Sequence, residues 1–332
     1  MRTGAGVVAL SLAWLALVGC AAPPMPPRVA PMASTRSVEG PIVVLSDTQR
    51  TSWAERLLGR EQNEEPRRAL IQKVAVEEHP ALVVHLGDMV VAGGTPENWE
   101  YFDRLMSPLT ARRIPILPVL GNHDYWGDDR AALREARERF PQLTATGWYA
   151  LQRRGLGLVW LNSNLEGAAA REQASWFARI LATFDRDRHT RAVLAFTHHP
   201  PYTNGKQRYG DEYVLAELLP SFRRAQKAVA MLSGHVHGYE RFQVDGKMFV
   251  VTGGGGGPRV TYHMGRDAEP APAYVPPDGR RRAFNYVVVN PVVVNDSLER
   301  LDFTVKCLLL DAVCEGGVLE AFSLPVPAPA AG

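Results

Sequence analysis

Short apolar runs alternate along this chain with longer stretches whose apolar positions recur every three or four residues. Runs at 42–46, 82–86, 116–120, 159–162, 193–197 and 229–232 are rich in Val, Leu and Ile and read as buried strands. Between them, 64–78 places Leu70, Ile71, Val74 and Ala75 on one helical face. Helices are also predicted over 98–106, 130–140 and 212–219, and over 172–184, where Trp176, Phe177, Ile180 and Leu181 face inward. Residues 242–251 read as a hairpin turning at Asp245-Gly246, a favoured two-residue turn. From 284 to 322 the pattern becomes strand-rich, with runs at 286–289, 301–310 and 318–322. Strands alternating with helices, then strands predominating, indicate an α/β core with two packed sheets.

The two ends depart from this pattern. Met1 and Arg2 precede an apolar run over 7–18, short for a permanent span, that stops at Leu17-Val18-Gly19-Cys20. This resembles a bacterial lipobox, which implies a signal peptide over 1–19, lipidation of Cys20 and, with Ala21 next, an outer-membrane lipoprotein facing the periplasm. A buried N-terminal helix with an incidental cysteine is the other reading. Residues 20–40 carry Pro23, Pro24, Pro26, Pro27 and Pro31 and read as an extended tether. One catalytic domain follows over 41–324, then a flexible tail over 325–332. The remaining cysteines, Cys307 and Cys314, either bridge two strands of a hairpin, as suits an exported protein, or are two buried thiols.

Composition narrows the function classes. With 332 residues, 46% hydrophobic and 22% charged, the chain is an ordinary globular one. A net charge of +2 argues against a dedicated nucleic-acid surface. Arg280, Arg281 and Arg282 read as a solvated turn rather than an anionic-lipid contact.

The candidate chemistry sits where apolar runs end. In chain order come Asp47-Thr48-Gln49, Gly87-Asp88, Gly121-Asn122-His123-Asp124, His198-His199-Pro200-Pro201 and Gly-His-Val-His-Gly-Tyr-Glu-Arg over 234–241. Carboxylate, amide and imidazole without thiolate suit Mn, Fe or Zn in a catalytic site rather than a structural zinc site. Such positions, at the C-terminal ends of strands, are where open α/β folds place their sites. The glycines over 253–257 are not followed by a helix opening Lys-Ser or Lys-Thr, so they are no P-loop; a tight side-chain-free turn beside the metal motifs fits better.

Taken together, the five motifs resemble the calcineurin-like metallophosphoesterase superfamily, and the 234–241 stretch resembles its purple acid phosphatase branch and bacterial relatives. The resemblance extends over 41–324. It implies a four-layer α/β/β/α sandwich of two packed mixed β-sheets, with the metal site at strand C-terminal ends. It further implies two divalent ions, one on Asp47, Gln49, Asp88 and His237, the other on Asp88, Asn122, His198 and His235. Asp88 would bridge them, with ions about 3.5–4 Å apart sharing a hydroxide that attacks phosphorus in line. The centre would stay cationic and draw an anionic ester.

His123, a non-ligand in this family, would protonate the leaving oxygen, with Asp124 orienting it. His199 either contacts substrate or packs at the rim. Tyr125, Trp126, Tyr202, Asn204, Lys206, Arg208 and Tyr209 either shape the substrate pocket or are solvated and packing residues. His85 reads as a satisfied core group; His79, His189 and His263 read as solvated. Two positions depart from the purple branch. Val91 stands where that branch has Tyr, so the purple colour is not implied. Gln49 stands where most members have His, a variant also found in the Mn-dependent ADP-ribose and CDP-alcohol diphosphatase-like branch.

The expected function is therefore phosphoric ester hydrolysis in the cell envelope, on a small phosphate ester or nucleotide. Nucleotide-type diphosphate hydrolysis is the alternative within enzymes. A non-catalytic, metal-bearing envelope lipoprotein is the alternative of another class.

Overall fold

The Val- and Leu-rich runs form strands because each is buried on both faces. In the computed structural model, which describes residues 40–143, 146–205, 210–259, 270–275, 283–308, 314 and 316–327, three of them pair in parallel. These are β1 (Ile42–Leu45), β2 (Leu82–His85) and β3 (Ile116–Pro118). The strand-rich C-terminal part extends this sheet beyond β1 through β10 (Asn285–Val294), β11 (Ser297–Cys307) and β12 (Val318–Pro325), all antiparallel. The order is β12-β11-β10-β1-β2-β3.

A second sheet runs β4-β5-β6-β7-β9-β8. It comprises β4 (Tyr149–Arg153), β5 (Leu156–Trp160), β6 (Ala192–Thr197), β7 (Ala228–Ser233), β8 (Tyr239–Val244) and β9 (Lys247–Thr252). Its four inner strands are parallel and its two edge strands antiparallel. Both sheets are thus mixed.

Side chains alternate across each strand and set the layers. Val44, Val84, Val287 and Phe303 of the first sheet meet Leu158, Trp160, Phe196 and Val250 of the second in one core. The opposite face of the first sheet buries Val43, Leu45 and Val83 under α2 (Glu64–Lys73) and α3 (Pro96–Thr110), beside α4 (Asp129–Arg139). That of the second buries Val159, Val193 and Phe249 under α5 (Gly167–Arg186) and α6 (Leu219–Arg224). The result is the four-layer α/β/β/α sandwich. Among the described residues no helix is long and apolar enough to cross a membrane.

Some local expectations change. The helix over 64–78 widens at Val74–Glu78 into a π turn and ends on His79 in the left-handed region, φ 46°. Residues 214–218 widen in the same way ahead of α6. β4 is a half-buried edge strand without a clean apolar run, which hid it. A short α1 (Trp53–Leu57) also appears, closed by a Ser52/Glu55 capping box. Cys307 and Cys314 form a disulfide with Cα atoms 5.8 Å apart, but Cys314 lies in the loop before β12. The bridge closes the β11–β12 connection rather than joining opposed strand positions. The signal segment, Cys20, the tether up to residue 39, Lys206, Arg208, Tyr209, His263, Arg280, Arg281 and Arg282 lie outside the described residues, as does the end of the tail.

The 234–241 stretch also staples the common edge of the sandwich. Arg241 on β8 pairs with Glu320 on β12, which also accepts from the Tyr239 hydroxyl at 2.6 Å. Both charged groups are largely buried, with side chains 13% and 14% exposed. Removing one partner leaves the other uncompensated, so Glu320→Ala should cost about 3 kcal/mol in urea unfolding while metal content stays unchanged. Parental stability in this variant would show the pair to be incidental.

Candidate metal centre

The site forms where the two sheets present their strand ends to each other. β1 delivers Asp47, β2 Asp88, β3 Asn122, β6 His198 and β7 His235. Three of these residues, Asp47 (φ 58°), Asp88 (φ 52°) and His235 (φ 68°), occupy the left-handed backbone region. Non-glycine residues adopt it at a cost, and such strain concentrates at functional sites. Here the chain turns sharply as each strand ends. The Asp47 N–H donates to the Gly87 carbonyl at 3.0 Å, which ties the first two loops together.

The seven sequence-predicted donors converge. Nε2 of His237 lies 3.2 Å from Oδ1 of Asp47. Nε2 of His198 lies 3.4 Å from Oδ1 of Asp88, 3.2 Å from Oδ1 of Asn122 and 3.1 Å from Nδ1 of His235. The Gln49 amide satisfies its surroundings best when its nitrogen donates to the main-chain carbonyls of Asp47 and Asp88, at 3.1 Å each. Its oxygen then points at Nε2 of His237, 3.3 Å away.

Outer hydrogen bonds aim the imidazoles. Nδ1 of His198 bonds the Leu86 carbonyl at 2.8 Å and Nδ1 of His237 the Pro258 carbonyl at 2.6 Å, leaving each Nε2 to face inward. This is how metal-binding histidines are usually oriented. Among the described residues Asp47 Oδ1 is buried with no hydrogen bond, only the His237 Nε2 contact at 3.2 Å, which fits a group that completes its valence by holding a cation.

The electrostatics agree. Burial opposes charge on His198, yet the Asp88 and Asp47 carboxylates raise it to about 9. His237 is raised against its burial, chiefly by Asp47. Burial would push Asp88 up, but His198, then His123 and His235, hold it far below the usual carboxylate range. The carboxylates make a field that favours positive charge. Sets of close potential ligand atoms include Asp47, Asp88 and His198, and also His198, His199 and His235.

His199 is therefore nearer the centre than a rim residue, its ring 4.4 Å from that of His235. Ser163 holds it, accepting from the His199 N–H at 3.0 Å and lying 2.8 Å from Nδ1. His123 is buried, with Nε2 4.0 Å from Oδ2 of Asp88 and its ring 3.6 Å from the half-exposed Trp126 ring.

One expectation is corrected, and for two residues one of the open readings fits. Asp124 does not orient His123: its oxygens accept from the N–H groups of Met89, Val90 and Gly121, so it braces two loops. Burial, then the Asp88 charge, raises it to about 7. The partner of His123 Nδ1 is the Val91 carbonyl, at 3.0 Å. Tyr125 is half-buried and its hydroxyl accepts from Asn162 at 2.8 Å, which makes it a packing residue. Tyr202 packs on Phe249, with rings 5.0 Å apart, and its hydroxyl accepts from Arg223, away from the centre.

Other readings match. His85 is fully buried and satisfied, by Thr48 Oγ1 at 2.9 Å and the Gly87 N–H at 3.2 Å. The glycine run backs the centre: a Cβ on Gly257 would meet the His237 ring at 2.6 Å.

Two supporting residues escaped the motif reading. Arg67, fully buried, donates to the carbonyls of Gln49 and Gly256, both at 2.9 Å, and so clamps two loops of the site. The signal was an arginine in register with Leu70, Ile71 and Val74 on an otherwise apolar helical face. Glu240, between the better-known motif positions, accepts from Asn204 N–H at 2.8 Å and Thr203 Oγ1 at 2.6 Å, fixing the loop after Pro201.

Comparison with known proteins agrees with this geometry. The calcineurin-like phosphoesterase family model matches residues 40–239, more than half of the chain. Purple acid phosphatase 15 of Arabidopsis thaliana is 27% identical over 174 residues, 48% of this chain. The chain spans only 32% of that relative's length. A probable cyclic nucleotide phosphodiesterase of Rhodopseudomonas palustris is 29% identical over 210 residues, covering 59% of this chain and 70% of the relative. The fold is similar to that of a purple acid phosphatase from yellow lupin seeds, with a TM-score of 0.67 at 16% identity over 88% of this chain and 55% of that one. On the span of the family match and the seven donor positions that fall within it, the chain belongs to the calcineurin-like phosphoesterase family.

Proposed function

We propose that the protein is a dinuclear metal-dependent hydrolase of phosphoric esters. The observation that carries this reading is the convergence of seven carboxylate, amide and imidazole donors around Asp88, beside an Asp47 Oδ1 that makes no hydrogen bond among the described residues. Asp47, Gln49, Asp88 and His237 would hold one ion, and Asp88, Asn122, His198 and His235 the other. Bound divalent ions supply Lewis acidity toward a phosphoryl oxygen and a nucleophilic water at neutral pH. The identity of the pair (Mn, Fe or Zn) is left to elemental analysis.

Within this reading the chain's own groups have distinct tasks. Asp88 holds the centre together, its Oδ1 fixed by the His123 N–H at 2.9 Å. The Val91 carbonyl fixes Nδ1 of His123, so Nε2 is the atom that gives a proton to the departing oxygen. His123→Gln should therefore slow hydrolysis of phenyl phosphate about 100-fold, with metal content held. The nitrophenyl ester, whose leaving group needs no proton, should be far less affected. An equal loss on both esters would remove His123 from the proton-donor role.

The test of the whole reading is assay of the purified protein with Mn²⁺ on aryl mono- and diesters and on ADP-ribose, alongside elemental analysis. Two metals per chain with turnover is the expected result. Fewer than two metals and no turnover would favour a non-catalytic envelope binding protein. A strong preference for ADP-ribose would favour diphosphate hydrolysis, the reading that the Gln49 amide in the first motif supports.

We also propose that the protein is exported and anchored through Cys20 to the outer membrane, facing the periplasm. The order of charge, apolar run and small residue before Cys20 supports this, and the Cys307–Cys314 disulfide suits an oxidising compartment.

A further inference from the structure

Outside the metal centre, arginines gather around a cavity of about 360 Å³ lined by Arg50, Arg56, Arg68 and Arg104, with Glu64 and Tyr101 on its wall. Among the described residues no candidate metal ligand lines it, although Arg50 directly follows Gln49 in the chain.

Among the described residues the one carboxylate lining it is already neutralised. Glu64 pairs with Arg67 at 3.0 Å and Arg68 at 2.9 Å and accepts from the Tyr101 hydroxyl. Three guanidinium groups keep donors to spare. Arg56 uses Nε on the Thr51 carbonyl at 3.2 Å. Arg104 stands 3.8 Å from Glu100, beyond hydrogen-bonding distance. Arg50 lies over the Tyr101 ring at 4.8 Å, and its Nε is buried with no hydrogen-bond partner. A guanidinium offers five N–H donors and no acceptor, so four such groups lining one cavity, three with donors to spare, suit an oxyanion.

The cavity continues into a groove of about 680 Å³ between α2 and α3. The two share Glu64, Arg68, Tyr101 and Arg104, and the groove runs on past Ala69, Leu105 and Pro108. Glu65 and Gln72 also line the groove, whose arginine-bearing end is cationic and whose other surface is largely apolar.

We propose that this cavity is a second oxyanion site, which binds the phosphate group of a phosphorylated organic molecule whose body lies along the α2/α3 groove. Arginine forks match phosphate oxygens two at a time. Tyr101, already holding Arg50 in place, pre-sets one of the forks. A soluble organophosphate and a phospholipid headgroup offer this same chemistry. The second source has local support in α1 and its C-cap, where Trp53, Leu57 and Leu58 are 76%, 79% and 80% exposed beside Arg56. The site is independent of whether the metal centre hydrolyses anything.

Calorimetric titration of the full chain with glycerol 3-phosphate and with inorganic phosphate tests it. A saturable component should appear that Arg50→Gln and, separately, Arg104→Gln each weaken at least about tenfold, while hydrolysis of an aryl phosphate is kept. Arg104 is exposed, so its variant stays folded if loss of the Tyr101 contact destabilises the Arg50 one. Co-sedimentation of the Cys20→Ser chain, which cannot be lipidated, with phosphatidylglycerol vesicles, lost on adding Arg50→Gln or Trp53→Ser, would identify the lipid source. Binding of glycerol 3-phosphate without vesicle binding would identify the soluble one. The proposal is overturned if all three probes fail to bind, or if binding is indifferent to both arginine variants.

Discussion

Asp88→Asn should lower kcat by about 10³-fold or more and, on the proposed dinuclear reading, reduce the metal content from two ions per chain to one or none. The substitution is nearly isosteric, and an amide oxygen can still accept the His123 N–H that Asp88 Oδ1 now accepts at 2.9 Å. What is lost is charge. Asp88 lies between the two halves of the donor set, with Oδ1 3.4 Å from His198 and Oδ2 near Gln49 and 4.0 Å from His123. A neutral amide cannot bridge two cations well, and stabilisation of charge developing on phosphorus depends on both. Metal analysis, steady-state kinetics and unfolding with and without Mn²⁺ would read the effect. The variant should stay folded but lose the stabilisation that added metal gives the parent. Two tightly held ions and a tenth or more of the parental rate would sink the assignment of Asp88 as the bridge.

Gly121→Ala should disable the same centre with every donor side chain still present. A Cβ at that position would lie 2.2 Å from Oδ1 of Asp88, 2.4 Å from its backbone N and 2.8 Å from Cε1 of His198. The nitrogen belongs to main chain and cannot swing away, and Asp88 is itself in the left-handed region, φ 52°. The β2 and β3 loops must therefore separate. Overpacking of this kind costs about 3 kcal/mol. Displacing the reacting groups by around an ångström costs roughly 100-fold in rate. Urea unfolding and metal titration would check both. Stability and activity equal to the parent would mean that the two loops are not in the close contact described.

Family resemblance was carried by residues whose chemistry is visible one at a time: carboxylates, an amide and imidazoles, each closing an apolar run. Strand runs were legible for the same reason, since parallel strands covered on both faces must be apolar nearly throughout. β4 was not, because an edge strand with half-exposed positions carries no such constraint. The widened turn at Val74–Glu78 was hidden too, because its residues are as compatible with α-helix as the ones before them.

Roles resting on contact were harder to read. Asp124 beside His123 looked like its orienting partner, yet neighbours in sequence diverge once the chain turns, and the carboxylate went to three main-chain N–H groups instead. Tyr202 follows the His198-His199-Pro200-Pro201 motif but packs down on Phe249. Arg67 announces itself only as a charge on an apolar face, and its function as a clamp depends on loops 18 and 189 residues away.

By itself, the order of apolar and polar residues determined the layered α/β architecture, the strand ends at which chemistry would gather, and the donor types available there. Tertiary structure alone decided which donors meet, which nitrogen of each imidazole faces inward and which neighbouring polar groups are consumed as braces. The physical reason is that hydrophobic periodicity is a local property imposed by burial. Hydrogen-bond partners of buried polar groups, by contrast, are chosen among every segment that packing brings within about 3 Å.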